Sequence, residues 1–146
     1  MSDKISKHAT LIEVNQKGVL LCGKSGAGKS DLAFRLIENF KAHLVADDIV
    51  MIYDLNGEAY GEAPENLQGL LEVRGVGIAQ YPYLKNQKID LVVDLTDKPE
   101  EIKRLPNTQK IRFLDYELLY LKLCAKEASA PQKILLKLRD NLLKKI

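Results

Sequence analysis

The spacing of apolar positions changes along the first sixty residues, and each change marks an element. His8-Ala9-Thr10-Leu11-Ile12-Glu13-Val14 has strand character, Asn15-Gln16-Lys17-Gly18 is a turn, and Gly18-Val19-Leu20-Leu21-Cys22 reads as a short buried strand. Together they predict a hairpin. From Lys29 to Phe40 the period lengthens, with Leu32, Ala33, Leu36 and Ile37 at helical spacing. His43-Leu44-Val45-Ala46-Asp47-Asp48 is then a strand that ends in two acids. Ile49-Val50-Met51-Ile52-Tyr53 leads to Asn56-Gly57, a strong hairpin-turn dipeptide.

Gly61 to Gln68 reads as a polar loop around Pro64. Leu70-Leu71-Glu72-Val73-Arg74-Gly75-Val76-Gly77-Ile78 passes from apolar to glycine-broken, which suggests a turn close to another backbone or to a ligand. Ile89-Asp90-Leu91-Val92-Val93-Asp94-Leu95 is the most β-rich run and is expected to be a central strand. A short helix is predicted from Pro99 to Leu105, and a strand or hairpin from Lys110 to Leu123. Ser129-Ala130-Pro131-Gln132 forms a capping box before the stripe Ile134, Leu135, Leu138, Leu142 and Leu143. The result is an α/β fold: a mixed sheet with antiparallel hairpins and flanking helices, in one domain over residues 1–146 without repeats.

Composition narrows the partners. The chain has 146 residues, 46% hydrophobic and 29% charged, enough for a buried core. A net charge of +2 is too small for a nucleic-acid footprint. The chain has no apolar run long enough to span a bilayer and no signal pattern in Met1-Ser2-Asp3-Lys4, so no membrane contact and a cytoplasmic location are expected. Cys22 and Cys124 lack a C-x-x-C partner and read as small buried hydrophobes. Lys133, Lys137, Arg139, Lys144 and Lys145 read as the solvated face of the last helix.

The chemistry lies between the buried strand and the first helix. Gly23-Lys24-Ser25-Gly26-Ala27-Gly28-Lys29-Ser30 has the form G-x-x-x-x-G-K-[ST] of a phosphate-binding loop. Glycines let the backbone curl with its N–H groups inward, and the following helix offers the positive end of its dipole. Lys29 supplies a charge for the β/γ-phosphates of a nucleotide, and the Ser30 hydroxyl is placed to ligate Mg²⁺. ATP and Mg²⁺ are the expected cofactors. Entry from an antiparallel pair is unusual, because such loops normally follow a strand of a parallel βαβ unit.

The loop also needs a carboxylate from a neighbouring strand end, and both Val45-Ala46-Asp47-Asp48 and Val92-Val93-Asp94 offer one. Spacing alone does not choose between them. Two adjacent like charges at Asp47 and Asp48 need a cation or solvent to relieve them, which a purely structural role does not explain.

Taken in order, Gly23 to Asp31, Leu44-Val45-Ala46-Asp47-Asp48 and Leu71-Glu72-Val73-Arg74-Gly75-Val76-Gly77-Ile78 resemble the three motifs of the HPr kinase/phosphorylase catalytic domain. The third carries most weight, since L-E-[IV]-R-G-[LV]-G-I downstream of a phosphate loop is that family's own signature. His8 falls where the family has a histidine before the loop. The resemblance runs from His8 to about Pro106, and more weakly to the last helix.

The resemblance implies a P-loop domain of the HPr kinase/PEP carboxykinase type and an ATP-dependent serine kinase acting on the phosphocarrier protein HPr. Such a kinase regulates the phosphotransferase system and carbon metabolism, and phosphorylase activity and a homo-oligomer stay open. By the same resemblance Asp47 is the general base and Glu72 a second metal ligand beside Ser30. His8 positions the phosphoryl group or tunes Asp47. Arg104, in Lys103-Arg104-Leu105-Pro106, matches the active-site arginine. Asp48, Arg74, Gly75 and Gly77 complete the motif set. Full-length members carry a further N-terminal domain and C-terminal helices, so the chain reads as a short, catalytic-domain form. Two other readings stay open here: a small-molecule kinase on the same loop, and a regulatory module that binds nucleotide without turnover.

Overall fold

The computed structural model describes residues 3–139 and 142. Leu143, Lys144 and Lys145 therefore lie outside the described residues. In chain order the elements are β1 (Ile5–His8), β2 (Thr10–Val14), β3 (Lys17–Cys22), α1 (Lys29–Phe40), β4 (His43–Ala46), β5 (Ile49–Leu55) and β6 (Glu58–Glu62). They continue as β7 (Leu70–Val73), β8 (Gly77–Gln80), β9 (Gln87–Thr96), β10 (Lys110–Phe113), β11 (Tyr116–Cys124) and α2 (Ala130–Arg139).

Nine strands form one mixed sheet in the order β1-β5-β6-β9-β3-β2-β4, with β11 also on β9 and β10 on β11. β9 is the hub: antiparallel to β6 at its start, and parallel to β3 and to β11 further along. The strand entering the glycine loop thus has an antiparallel neighbour, β2, on one edge and a parallel one, β9, on the other. β7 and β8 form a separate hairpin.

Alternation along β3 sorts side chains to two faces. Val19 and Leu21 join the core under the helices, with Leu32 and Leu36 of α1 and Ile134 of α2. Leu20 packs on the other side with Leu11, Val50 and Ile52. The Asn56-Gly57 turn is built as its residues demand, with φ of 55° and 84°.

Several expectations need correction. The stretch His8–Val14 is not one strand. It breaks at Ala9, so His8 pairs with Ile49 of β5 while Thr10 pairs with Leu21 of β3. Ala9 is fully buried and its N–H donates to Asp48 O, which fixes the change of partner. The helix expected from Pro99 to Leu105 is only a 3₁₀ turn, Pro99–Glu101. The segment has no apolar face to bury, and Leu105 stays exposed. Gly61 belongs to β6, not to a loop, and a Cβ there would stand 2.7 Å from Leu11 Cδ2. Lys137 is not part of a solvated face: it is buried and donates to Gln109 Oε1.

Candidate active site

β3 delivers the chain at Cys22 into a loop that returns at Lys29, the first residue of α1. Gly26 and Gly28 take φ of 87° and 99°, values that side chains resist, and Gly28 stands in the N-cap position of α1 without a side-chain cap. A Cβ on Gly28 would lie 2.9 Å from Ala125 Cβ, so the loop also needs glycine for its packing on the turn after β11. The N–H groups of Ser25, Gly26, Gly28, Lys29 and Ser30 find no protein acceptor among the described residues. Five unpartnered donors at a helix N-terminus are the cradle that an anion fits. Lys29 Nζ is held inside that curl, donating to Gly23 O at 2.7 Å and Lys24 O at 3.0 Å.

Ser30 Oγ donates to Asp47 Oδ1 at 2.7 Å, and Thr10 Oγ1 donates to the same oxygen at 2.8 Å. Asp47 is 6% exposed, so this carboxylate sits in the sheet's end with two hydroxyls on one oxygen. Its Oδ2 faces the N–H of Glu72 at 3.5 Å, which brings the β7–β8 hairpin to the same point. Thr10 carried no sequence signal, being one polar residue in an apolar strand 37 residues from its partner.

The paired acids diverge. Ile49 N donates to Asp47 O at 2.8 Å across Asp48, whose φ is 72°, so Asp48 centres a γ-turn of a kind that stores strain. That turn aims Asp47 inward and Asp48 outward, where its Oδ1 meets His8 Nε2 at 2.8 Å. His8 therefore contacts Asp48, not Asp47.

Glu72 is exposed in β7, and Arg74 and Gly75 lead through the turn to Gly77 in β8. Gly75 and Gly77 have φ of 85° and 140°, yet nothing lies within 4 Å of where their Cβ atoms would be. Their glycine requirement is conformational, and the expected close approach of another backbone is absent among the described residues. The hairpin tip exposes Val76 (85%) and Ile78 (71%). Arg104 lies exposed beyond the 3₁₀ turn, without a hydrogen bond or ion pair to the loop among the described residues. Lys24 points away from Lys29 toward Asp97, 3.6 Å off. Asp94 takes no part in the Ser30 contact and accepts the Tyr120 phenol at 2.9 Å.

Among the described residues no three His, Cys, Asp or Glu side chains converge on one metal position. Ser30 Oγ and the Asp47 carboxylate lie together at the loop, and Glu72 reaches the same point through its backbone N–H.

A glycine-rich cradle between a sheet strand and a helix, with a buried carboxylate on the first-turn serine, defines a phosphate-loop α/β domain. The family model described as the HPr Serine kinase C-terminal domain matches residues 1–135, and the chain belongs to that family. HPr kinase/phosphorylase of Geobacillus sp. is 40% identical over 126 residues, covering 78% of this chain and 40% of that protein. The Caldicellulosiruptor bescii HPr kinase/phosphorylase is 39% identical over 104 residues, covering 65% and 33%. The chain thus spans less than half the length of these relatives. The solved Hpr(Ser) kinase/phosphatase of Coxiella burnetii superposes with a TM-score of 0.78 over 93% of this chain and 89% of that one. At 23% identity that match establishes the fold. Among the described residues no helix is long and apolar enough to cross a membrane.

Proposed function

We propose that the chain transfers the γ-phosphoryl group of ATP, with Mg²⁺, to a serine hydroxyl of an HPr-type phosphocarrier protein. The observation that carries this reading is the Ser30–Asp47 contact. It sets the Ser30 hydroxyl and a carboxylate side by side at the start of α1, which supports a metal and a base working together there.

Phosphoryl transfer asks for positioning and charge neutralisation more than for covalent work. The free amides of Ser25, Gly26, Gly28, Lys29 and Ser30 hold the phosphate chain, and Lys29 exchanges its two carbonyl partners for phosphate oxygens. Bound Mg²⁺ supplies charge neutralisation, with Ser30 and Glu72 as its protein ligands. Ser30 can offer a lone pair to the metal while its O–H goes on donating to Asp47 Oδ1. Oδ2 is then the oxygen that takes the serine proton as the nucleophile attacks. The outward Asp48 orients His8 beside the incoming phosphocarrier. Arg104 has no role that its position supports. The expected location is cytoplasmic, and the partner is a protein because the Asp47 mouth is rimmed by an exposed hairpin.

The test is to incubate the chain with HPr, ATP and Mg²⁺ and to look for phosphoserine by mass spectrometry. Phosphoserine that requires all three components is expected. Phosphoryl transfer from ATP to small hydroxyl compounds and none to HPr would overturn the reading.

A further inference from the structure

The phosphate loop has two sides. Ser30, Asp47, Glu72 and His8 lie toward β2 and β4. On the other side, Gly23 and Lys24 form one wall of a cleft of about 300 Å³, and the segment after β9 with Lys122 of β11 forms the other. β3, β9 and β11 run parallel and all end here, and open α/β sheets take their ligands beyond the carboxyl ends of such strands.

The chemistry of this cleft is unlike that of the cradle. Asp94, Asp97 and Glu101 face Lys24, Lys98 and Lys122, so the charges balance. A polyphosphate gains nothing from three carboxylates, whereas a neutral group rich in hydroxyls finds acceptors. Two of those acceptors are pre-set. Glu101 Oε1 receives the Thr96 hydroxyl at 2.6 Å and lies 3.7 Å from Lys122 Nζ. The Thr96 hydrogen bond, with Lys122 and Lys98 behind it, holds the Glu101 carboxyl below the usual range, so it is ionised at neutral pH. Asp97 Oδ2 lies 3.6 Å from Lys24 Nζ. Glu101 Oε2 and Asp97 Oδ1 have no partner among the described residues. Two carboxylates, each steadied through one oxygen and open at the other, match the vicinal hydroxyls of a ribose.

We propose that this cleft is the ribose subsite of the phosphate donor, with Asp97 and Glu101 accepting hydrogen bonds from the 2′- and 3′-hydroxyls. The proposal rests on the loop being the triphosphate cradle: a γ-phosphate directed at Asp47 leaves the sugar end of the chain for the opposite side. Lys24, a loop residue paired with Asp97, ties the two halves of the site together.

The experiment measures, by calorimetry on the full chain with Mg²⁺, the affinities of ATP, 2′,3′-dideoxy-ATP and inorganic tripolyphosphate. Wild type and the variant D97A/E101A are compared. Loss of charge-assisted hydrogen bonds predicts that wild type binds ATP roughly tenfold or more tighter than the dideoxy compound. The double variant removes that difference while its tripolyphosphate affinity is not lowered, since two negative charges in the cleft with Lys24 are gone, which also shows the fold to be intact. Equal binding of ATP and dideoxy-ATP by wild type overturns the ribose subsite, as does a variant that keeps the full difference. In those cases tripolyphosphate binding leaves the cradle standing. Failure of wild type to bind any of the three overturns cradle and subsite together.

Discussion

Asp47 and Asp94 look alike in sequence, each closing an apolar run, and the structure gives them opposite surroundings. Asp47 accepts two aliphatic hydroxyls, one from a core strand and one from the first turn of α1, and keeps an oxygen toward the β7–β8 hairpin. Asp94 accepts the phenol of Tyr120, a neighbour on β11, and sits in the charge-balanced cleft. What separates a candidate base from a structural acid is therefore not the strand end. It is whether one donor belongs to the helix whose N-terminus offers the unpartnered amides: Ser30 does, Tyr120 does not.

The sharpest way to break that contrast is Asp47→Asn against Asp94→Asn. With Asp47 as the proposed base, its loss is expected to lower the proposed kinase turnover by roughly a hundred- to ten-thousand-fold, while Asp94→Asn, which keeps an acceptor for Tyr120, leaves it within a few-fold of wild type. Nucleotide binding survives in both, as calorimetry would show. A severe loss in Asp94→Asn with a mild one in Asp47→Asn would reverse the assignment of the two acids.

Smaller effects are expected one contact further out. Ser30→Ala and Glu72→Gln each remove a proposed Mg²⁺ ligand and no core group, so each is expected to raise the Mg²⁺ concentration needed for half-maximal turnover. Thr10→Val keeps shape and removes one of the two donors on Asp47 Oδ1. It lowers turnover by roughly tenfold, the scale of one hydrogen bond to a charged group, and Thr10→Ser restores it. A Thr10→Val enzyme with wild-type turnover would mean that Ser30 alone orients Asp47.

The parts of this site legible in the sequence are those carried by local spacing. The loop, the α1 boundaries and the Asn56-Gly57 turn depend on neighbours within a few residues, and each follows from backbone chemistry. The break at Ala9 does not, because it arises from Asp48 O reaching across from another strand. Nor does spacing show that Asp47 and Asp48 face opposite ways, since a γ-turn at a non-glycine residue has no composition signal. Long-range contacts such as Thr10–Asp47 and Lys24–Asp97 exist only once the sheet has brought the strand ends together.

The smallest effect concerns stability at high pH, and it falls on the Asp94 side. Burial first, then the Asp94 hydrogen bond, raises the Tyr120 phenol from 10.0 to about 12, and burial raises the Cys22 thiol from 9.0 to about 11. A raised pKa means that the folded state holds its proton more tightly than the unfolded chain does. The stabilisation is complete below the unfolded values and is lost as pH rises through the folded ones. Urea midpoints are thus expected to fall from about pH 9, where Cys22 begins to contribute, to about pH 12. Tyr81 and Tyr116, also pushed up to about 12, add to the upper part of that decline. Tyr120→Phe removes one of the raised phenols and so makes the decline between about pH 10 and 12 shallower without abolishing it. An unchanged slope in Tyr120→Phe would show that the Tyr120–Asp94 contact does not hold the phenol's proton.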